Sequence, residues 1–169
     1  LSTSDDPDER PIVHLVGLEP MVTLGPGETV AASPKARAFF ALVDNALAAS
    51  ASRDLLVYVH GSNNTLARAS AQAAQLRHFT GRRMVVLAFL WPSAGSMLQY
   101  FTDVGNAAAS VEPFARLIGL LAANTQAAGI DVLAYSAGAQ IVSPGLAKLG
   151  QGRPGESREQ LRQRLRLKQ

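Results

Sequence analysis

Asp131-Val132-Leu133-Ala134-Tyr135-Ser136-Ala137-Gly138 runs a short apolar strand, opening at Asp131, into a serine set between small residues. Ala139 to Leu149 follows with a helical pattern, weakened by Pro144 and Gly145. Ala134 to Gly138 therefore fits the strand-to-helix turn Gly-x-Ser-x-Gly, with alanine in the first position. Small residues two before and two after the serine let strand and helix approach without collision. Such a turn holds the serine in a strained backbone conformation with its hydroxyl exposed. It also sets that serine at a helix N-terminus, where unpaired N–H groups and the helix dipole favour developing negative charge. The bland alternative is an ordinary turn in which Ser136 merely caps the helix. Alone the motif is weak; its place directly after an apolar strand and before a helical pattern is the context it requires.

Two more apolar strands end in unusual loops. Leu55 to Val59 is a continuous Val- and Leu-rich run, as in a strand buried on both faces, and it ends in His60-Gly61-Ser62-Asn63-Asn64. Met84 to Leu90 is equally apolar and ends in Trp91-Pro92-Ser93-Ala94-Gly95. Between them, Thr65 to Thr80 reads as a helix with Leu66, Ala69, Ala73 and Leu76 on one stripe and Gly81 as its stop. From Met97 to Ala128 the pattern is helical again, with breaks expected near Gly105 and Pro113. Upstream, Ser33-Pro34 starts a helix that carries Phe39, Phe40, Leu42, Val43, Ala46 and Leu47 to about Ala49. Strands alternating with helices imply right-handed crossovers and a parallel sheet, so the fold class is α/β: a mostly parallel sheet flanked by helices. In such sheets ligands bind at the carboxyl ends of the strands, where all three loops fall.

With 169 residues, 47% of them hydrophobic, the chain suits a single domain, 1–169, with a real core. Residues 1–10 are polar and read as a flexible arm, Ile12 to Leu18 as an edge strand, and Gly25, Pro26 and Gly27 as a loop. The net charge of +3 comes from the tail: residues 151–169 hold six of the sixteen Lys/Arg and two of the thirteen acids. After a loop from Gly150 to Gly155, Glu156 to Lys168 reads as a charged amphipathic helix. Its Arg158, Arg162, Arg164, Arg166 and Lys168 form a solvated face, so no nucleic-acid partner is expected. Without cysteine there is neither a disulfide framework nor a thiolate metal site. No apolar stretch reaches the roughly 18 residues of a membrane-spanning helix. The start at Leu1, followed by a polar acidic segment, fits a chain from which a leader or tag has been removed, or an internal start.

The loops can be assigned chemistry. Where a serine sits on such an elbow, one oxyanion donor is the N–H after the nucleophile and another comes from the loop after an earlier strand. Here these are the N–H groups of Ala137 and Ser62. Gly61 lets the backbone approach a substrate, while Asn63 and Asn64 can fix the loop through side-chain hydrogen bonds. His60 reads better as a structural histidine bonded to a neighbouring loop than as a catalyst. Trp91 and Ser93 either line a substrate pocket or form a rigid turn around a buried tryptophan. Tyr135 lines the site next to the serine. No metal site and no cofactor is expected, and no Gly-rich phosphate loop follows any strand.

Taken together, Val57-Tyr58-Val59-His60-Gly61-Ser62-Asn63-Asn64, Trp91 to Gly95 and Ser136-Ala137-Gly138 resemble the α/β-hydrolase superfamily. Within it they are similar to a bacterial branch known as domain-of-unknown-function 900, over about residues 55–150. The resemblance implies a serine hydrolase without cofactor, acting on a small-molecule carboxylic ester or lipid-like substrate through an acyl-Ser136 intermediate. The chain departs from the superfamily order Ser, then Asp or Glu, then His. After Ser136 stand Glu156 and Glu159 but no histidine; His14, His60 and His78 all precede it. Without a base a serine hydroxyl is a poor nucleophile. The expectation is therefore that these residues are the N-terminal and central part of a longer protein, with a sheet incomplete at its C-terminal end and nearly inactive alone. Leu165 to Gln169 then reads as the approach to a further strand. A non-catalytic binding or assembly module of the same fold is the alternative.

Overall fold

Three short apolar runs form the sheet: β1 (Asp54–Val59), β2 (Val85–Phe89) and β3 (Gly129–Ala134). The structure, a computed structural model, describes Leu24, residues 28–93 and residues 100–168. The expected arm, the edge strand Ile12 to Leu18, the loop around Pro26, and Ala94 and Gly95 lie outside the described residues. All strand pairings are parallel, in the order β2-β1-β3, as the alternating pattern requires. Val59 ends level with Phe89 on one side and Ala134 on the other, so the three strands deliver their following loops to one edge.

The connections are helices α1 (Pro34–Ala48), α2 (Leu66–Phe79), α3 (Tyr100–Asn124), α4 (Ala139–Gly150) and α5 (Arg158–Leu165). Local chemistry sets their ends. The Ser33 hydroxyl accepts from the Ala36 N–H with Pro34 in the first turn, and Thr65 accepts from the Arg68 N–H at the start of α2. Gly81, at φ +69°, ends α2 where the sequence places the stop.

Strand alternation divides the core. Leu55, Val57 and Val59 face Phe40, Val43 and Leu47 of α1, Phe114, Ile118 and Leu121 of α3, and Ile141 of α4. Leu56 and Tyr58 face α2, whose buried Ala69 and Ala73 let it lie close to the sheet. Since α2 lies over β1 and β2, Leu133 of β3 is left 41% exposed on that side.

Two expectations need correction. The long helix does not break: α3 runs through Gly105 and Pro113 without interruption. A proline in a helix interior costs about 3 kcal/mol, but fully burying Phe114, Ile118 and Leu121 contributes about 1.5–3 kcal/mol each, and a break would misplace all three. The last helix is shorter than Glu156 to Lys168. Ser157 starts it with a capping box to Gln160, and Arg166, at φ +51°, ends it. The Arg166 guanidinium donates to the carbonyls of Thr125 and Ala127, and Leu167 then forms a parallel bridge with Ile130 beside β3. The tail cations are thus partly structural: Arg164 pairs with Glu156 and Lys168 with Asp54.

Candidate active site

Ser136 is one of four non-glycine residues with positive φ among the described residues, at +50°. Tyr135 before it is extended, Ser136–Gly138 make a tight 3-10 turn, and α4 begins at Ala139. A left-handed conformation is disfavoured for any residue with a Cβ, and here it falls on the serine of the predicted elbow. The turn is held from below. The Tyr135 N–H donates to the Val59 carbonyl at 2.9 Å, and the Gly138 N–H donates to the Tyr135 carbonyl at 2.9 Å. A Cβ on Gly138 would lie 2.6 Å from the Val59 oxygen and 2.8 Å from the His60 oxygen, so only glycine lets α4 start this close to β1. Ser136 itself is exposed.

The loop after β1 reaches the same point. A Cβ on Gly61 would lie 3.0 Å from the Ser136 Cβ and 3.1 Å from the Tyr135 ring, so the Gly61 backbone passes directly against the serine. This is the position where the chain switches direction across the sheet, from β2 on one side of β1 to β3 on the other. The backbone hydrogen bonds linking loops and turns among the described residues include none donated by the N–H of Ser62 or of Ala137.

A model of the family described as alpha/beta hydrolase of unknown function (DUF900) matches residues 33–165. The chain belongs to that family. No curated protein and no solved structure matches it.

In this DUF900 hydrolase the loop after β1 is pinned at both ends to the loop after β2. The Trp91 backbone N–H donates to His60 Nε2 at 3.2 Å, and the Trp91 indole N–H donates to the His60 carbonyl at 2.7 Å. The two rings stack 5.3 Å apart at 9°. Because Nε2 accepts, Nδ1 carries the proton and donates to the Gly61 carbonyl at 2.8 Å. Both ring nitrogens of the buried His60 are therefore engaged, in keeping with a structural histidine. At the other end the Ser93 hydroxyl accepts from the Asn64 N–H at 3.1 Å and donates to the Asn64 carbonyl at 3.0 Å. Trp91 is buried and Ser93 is turned onto the backbone, as the rigid-turn alternative requires. Both also border a surface cleft of about 610 Å³ with His60, Leu66, Leu90 and Pro92. Ser136 is not among its lining residues.

Gln72 escapes sequence reading. Its Oε1 accepts from Tyr58 Oη at 3.0 Å and from Asn64 Nδ2 at 2.7 Å, tying α2, β1 and the loop together. A polar residue beside the buried Ala69 and Ala73 was the available signal. Burial pushes the Tyr58 hydroxyl up in pKa, and nearby Tyr135 adds to the shift. Tyr135 is 62% exposed and borders a second, smaller cavity with Phe79 and Leu133 on the α2 side of β3. Asn63 is exposed, with φ +51°. His78 lies in the last turn of α2, at the opposite edge of the sheet from Ser136, and His14 lies outside the described residues. Among the described residues no group of three or more His, Cys, Asp or Glu is placed to hold a metal, and no helix is long and apolar enough to cross a membrane.

Proposed function

We propose that this alpha/beta hydrolase cleaves carboxylic esters of small or lipid-like molecules through an acyl-Ser136 intermediate. The observation that carries the reading is the left-handed backbone of an exposed serine at the strand-to-helix turn. A nucleophile held clear of its own backbone fits that strain, in a turn whose tightness the close start of α4 against β1 requires. Ser136 Oγ attacks the carbonyl carbon, and the N–H groups of Ala137 and Ser62 hold the oxygen as it becomes negative. His60 and Trp91, Gly61, and Asn64 with Ser93 give the donor loop a fixed shape, so little reorganisation accompanies the charge. Asn63 and Tyr135 border the entrance. The reaction draws on no cofactor or metal. His60 has no free ring nitrogen and His78 is remote, so neither histidine among the described residues serves as the base.

Hydrolysis of a p-nitrophenyl ester series tests this. The full-length protein should turn over, and Ser136→Ala in it should lose at least about 10³-fold in kcat/KM. Activity unchanged in Ser136→Ala would overturn the reading. Binding of ester analogues without turnover would favour the non-catalytic module, to which the lack of a base near Ser136 among the described residues also points.

A further inference from the structure

The loop from His60 to Asn64 is held at its first residue by Trp91 and at its last by Ser93, and a further hold comes from α2. The half-buried Gln72 of that helix places its Oε1 2.7 Å from Asn64 Nδ2 and 3.0 Å from Tyr58 Oη. The direction of each bond follows from one group that has no choice. The Thr65 N–H can only donate, and it donates to Asn64 Oδ1 at 3.0 Å. Asn64 then turns Nδ2 toward Gln72, Gln72 answers with its oxygen, and Tyr58 donates its hydroxyl to the same atom. With the Ser93 hydroxyl on its N–H and carbonyl, Asn64 has every polar atom engaged. Strand β1 and helix α2 have their own hydrogen-bond ladders and buried faces, so the element that depends on this relay is the loop. Between its held ends lie Gly61, whose backbone passes against Ser136, and Asn63, bent to φ +51°. A left-handed residue with a side chain persists only where its surroundings over-determine it, and the fixed Asn64 is its immediate neighbour.

We infer that Gln72 is a positioning residue: its carboxamide oxygen, accepting from β1 and from the loop together, sets where the Gly61 backbone stands against Ser136. This rests on the proposed role of Ser136. Gln72 touches no reacting atom and moves no proton; it acts through Asn64. A loop displaced by about 1 Å is enough to cost about 10²-fold in rate, even when the change that displaces it lies away from the chemistry.

Variants of the full-length protein, assayed on a p-nitrophenyl ester and by amide hydrogen exchange, test this. Gln72→Met keeps the side-chain length and the helix propensity and removes the acceptor. Its kcat should fall about 10- to 10²-fold with KM changed less than about twofold. Exchange over residues 60–64 should rise while β1 and α2 stay protected. Asn64→Asp cuts the same bond from the loop side at nearly constant volume, since its second oxygen would face the Gln72 oxygen, and should reproduce the fall in kcat. Gln72→Glu keeps an acceptor for both donors and should hold kcat within about threefold of the unmutated protein. Gly145→Ala, which lowers stability at the contact of α4 with Phe114, should leave kcat unchanged. A fall in kcat of less than about threefold in both Gln72→Met and Asn64→Asp, with Ser136→Ala inactive, would overturn the positioning role and leave Ser136 standing. So would a Gln72→Glu protein as slow as Gln72→Met, or unchanged exchange over residues 60–64 in Gln72→Met. Equal losses of kcat, substrate binding and Tm in Gln72→Met, matched by Gly145→Ala, would make Gln72 structural and likewise overturn the role. Full activity in Ser136→Ala would remove both assignments.

Discussion

Ser136 adopts a backbone conformation that disfavours any side chain, and the balance there can be measured. Left-handed φ costs a non-glycine residue about 1–2 kcal/mol, while glycine adds about 0.5–1 kcal/mol of unfolded-state entropy. Relief of strain is the larger effect, so Ser136→Gly should be inactive yet more stable by about 0.5–1 kcal/mol in urea unfolding. Gly138 presents the opposite case. Its added Cβ would meet two backbone oxygens that cannot swing aside, so Gly138→Ala should lose about 2–3 kcal/mol and displace the turn. Both positions are legible from the spacing of small residues around one serine. The clamps are not. Nothing in the order of residues says that Trp91 donates twice to His60, or that the Ser93 hydroxyl binds Asn64, because these bonds join segments about thirty residues apart and follow from strand register.

Among the elements, α3 and α4 meet where glycine is required by space. Gly145 lies on Phe114, and an added Cβ would stand 2.6 Å from the Phe114 ring. Alanine gains about 1 kcal/mol of helix propensity, but crowding a wholly buried ring costs about 1–3 kcal/mol. Gly145→Ala should therefore be destabilising by about 1 kcal/mol, measured by thermal or urea unfolding, although Gly145 weakens the helical pattern in the sequence. The same contact explains why breaks expected at Gly105 and Pro113 do not occur: propensity is local, and Phe114, Ile118 and Leu121 act together across the interface. In the approach to α5, the Arg164 guanidinium hydrogen-bonds to Glu156 and holds its carboxyl down at about 2, from an ordinary 4.5. A carboxyl depressed in the folded state stabilises it above the ordinary value and loses that contribution as pH falls through the depressed one. Hydrogen exchange in α5 should thus stay protected down to pH 4.5 and rise as pH approaches about 2, whereas Glu156→Gln should be flat through that window.

Across the whole molecule, the order β2-β1-β3 brings two loops distant in sequence onto one side of the sheet, at the switch between β1 and β3. Parallel strands and the edge carrying the site were legible from alternating apolar runs and helices. The order itself was not, since it depends on α3 returning across β1, a choice fixed by packing against α1 and α4. The bridge from Leu167 to Ile130 adds the chain's last described residues beside β3, as the apolar pattern near Leu165 suggests. From this convergence comes the central claim, a nucleophile at position 136. It is tested most directly by treating the protein with a fluorophosphonate, digesting it with trypsin and locating the adduct by mass spectrometry. The predicted adduct sits in the peptide Leu117–Lys148, with fragment ions assigning it to Ser136 and not to Tyr135 or Ser143. An adduct on either of those residues, or ester hydrolysis by a protein that carries none on Ser136, would contradict the account.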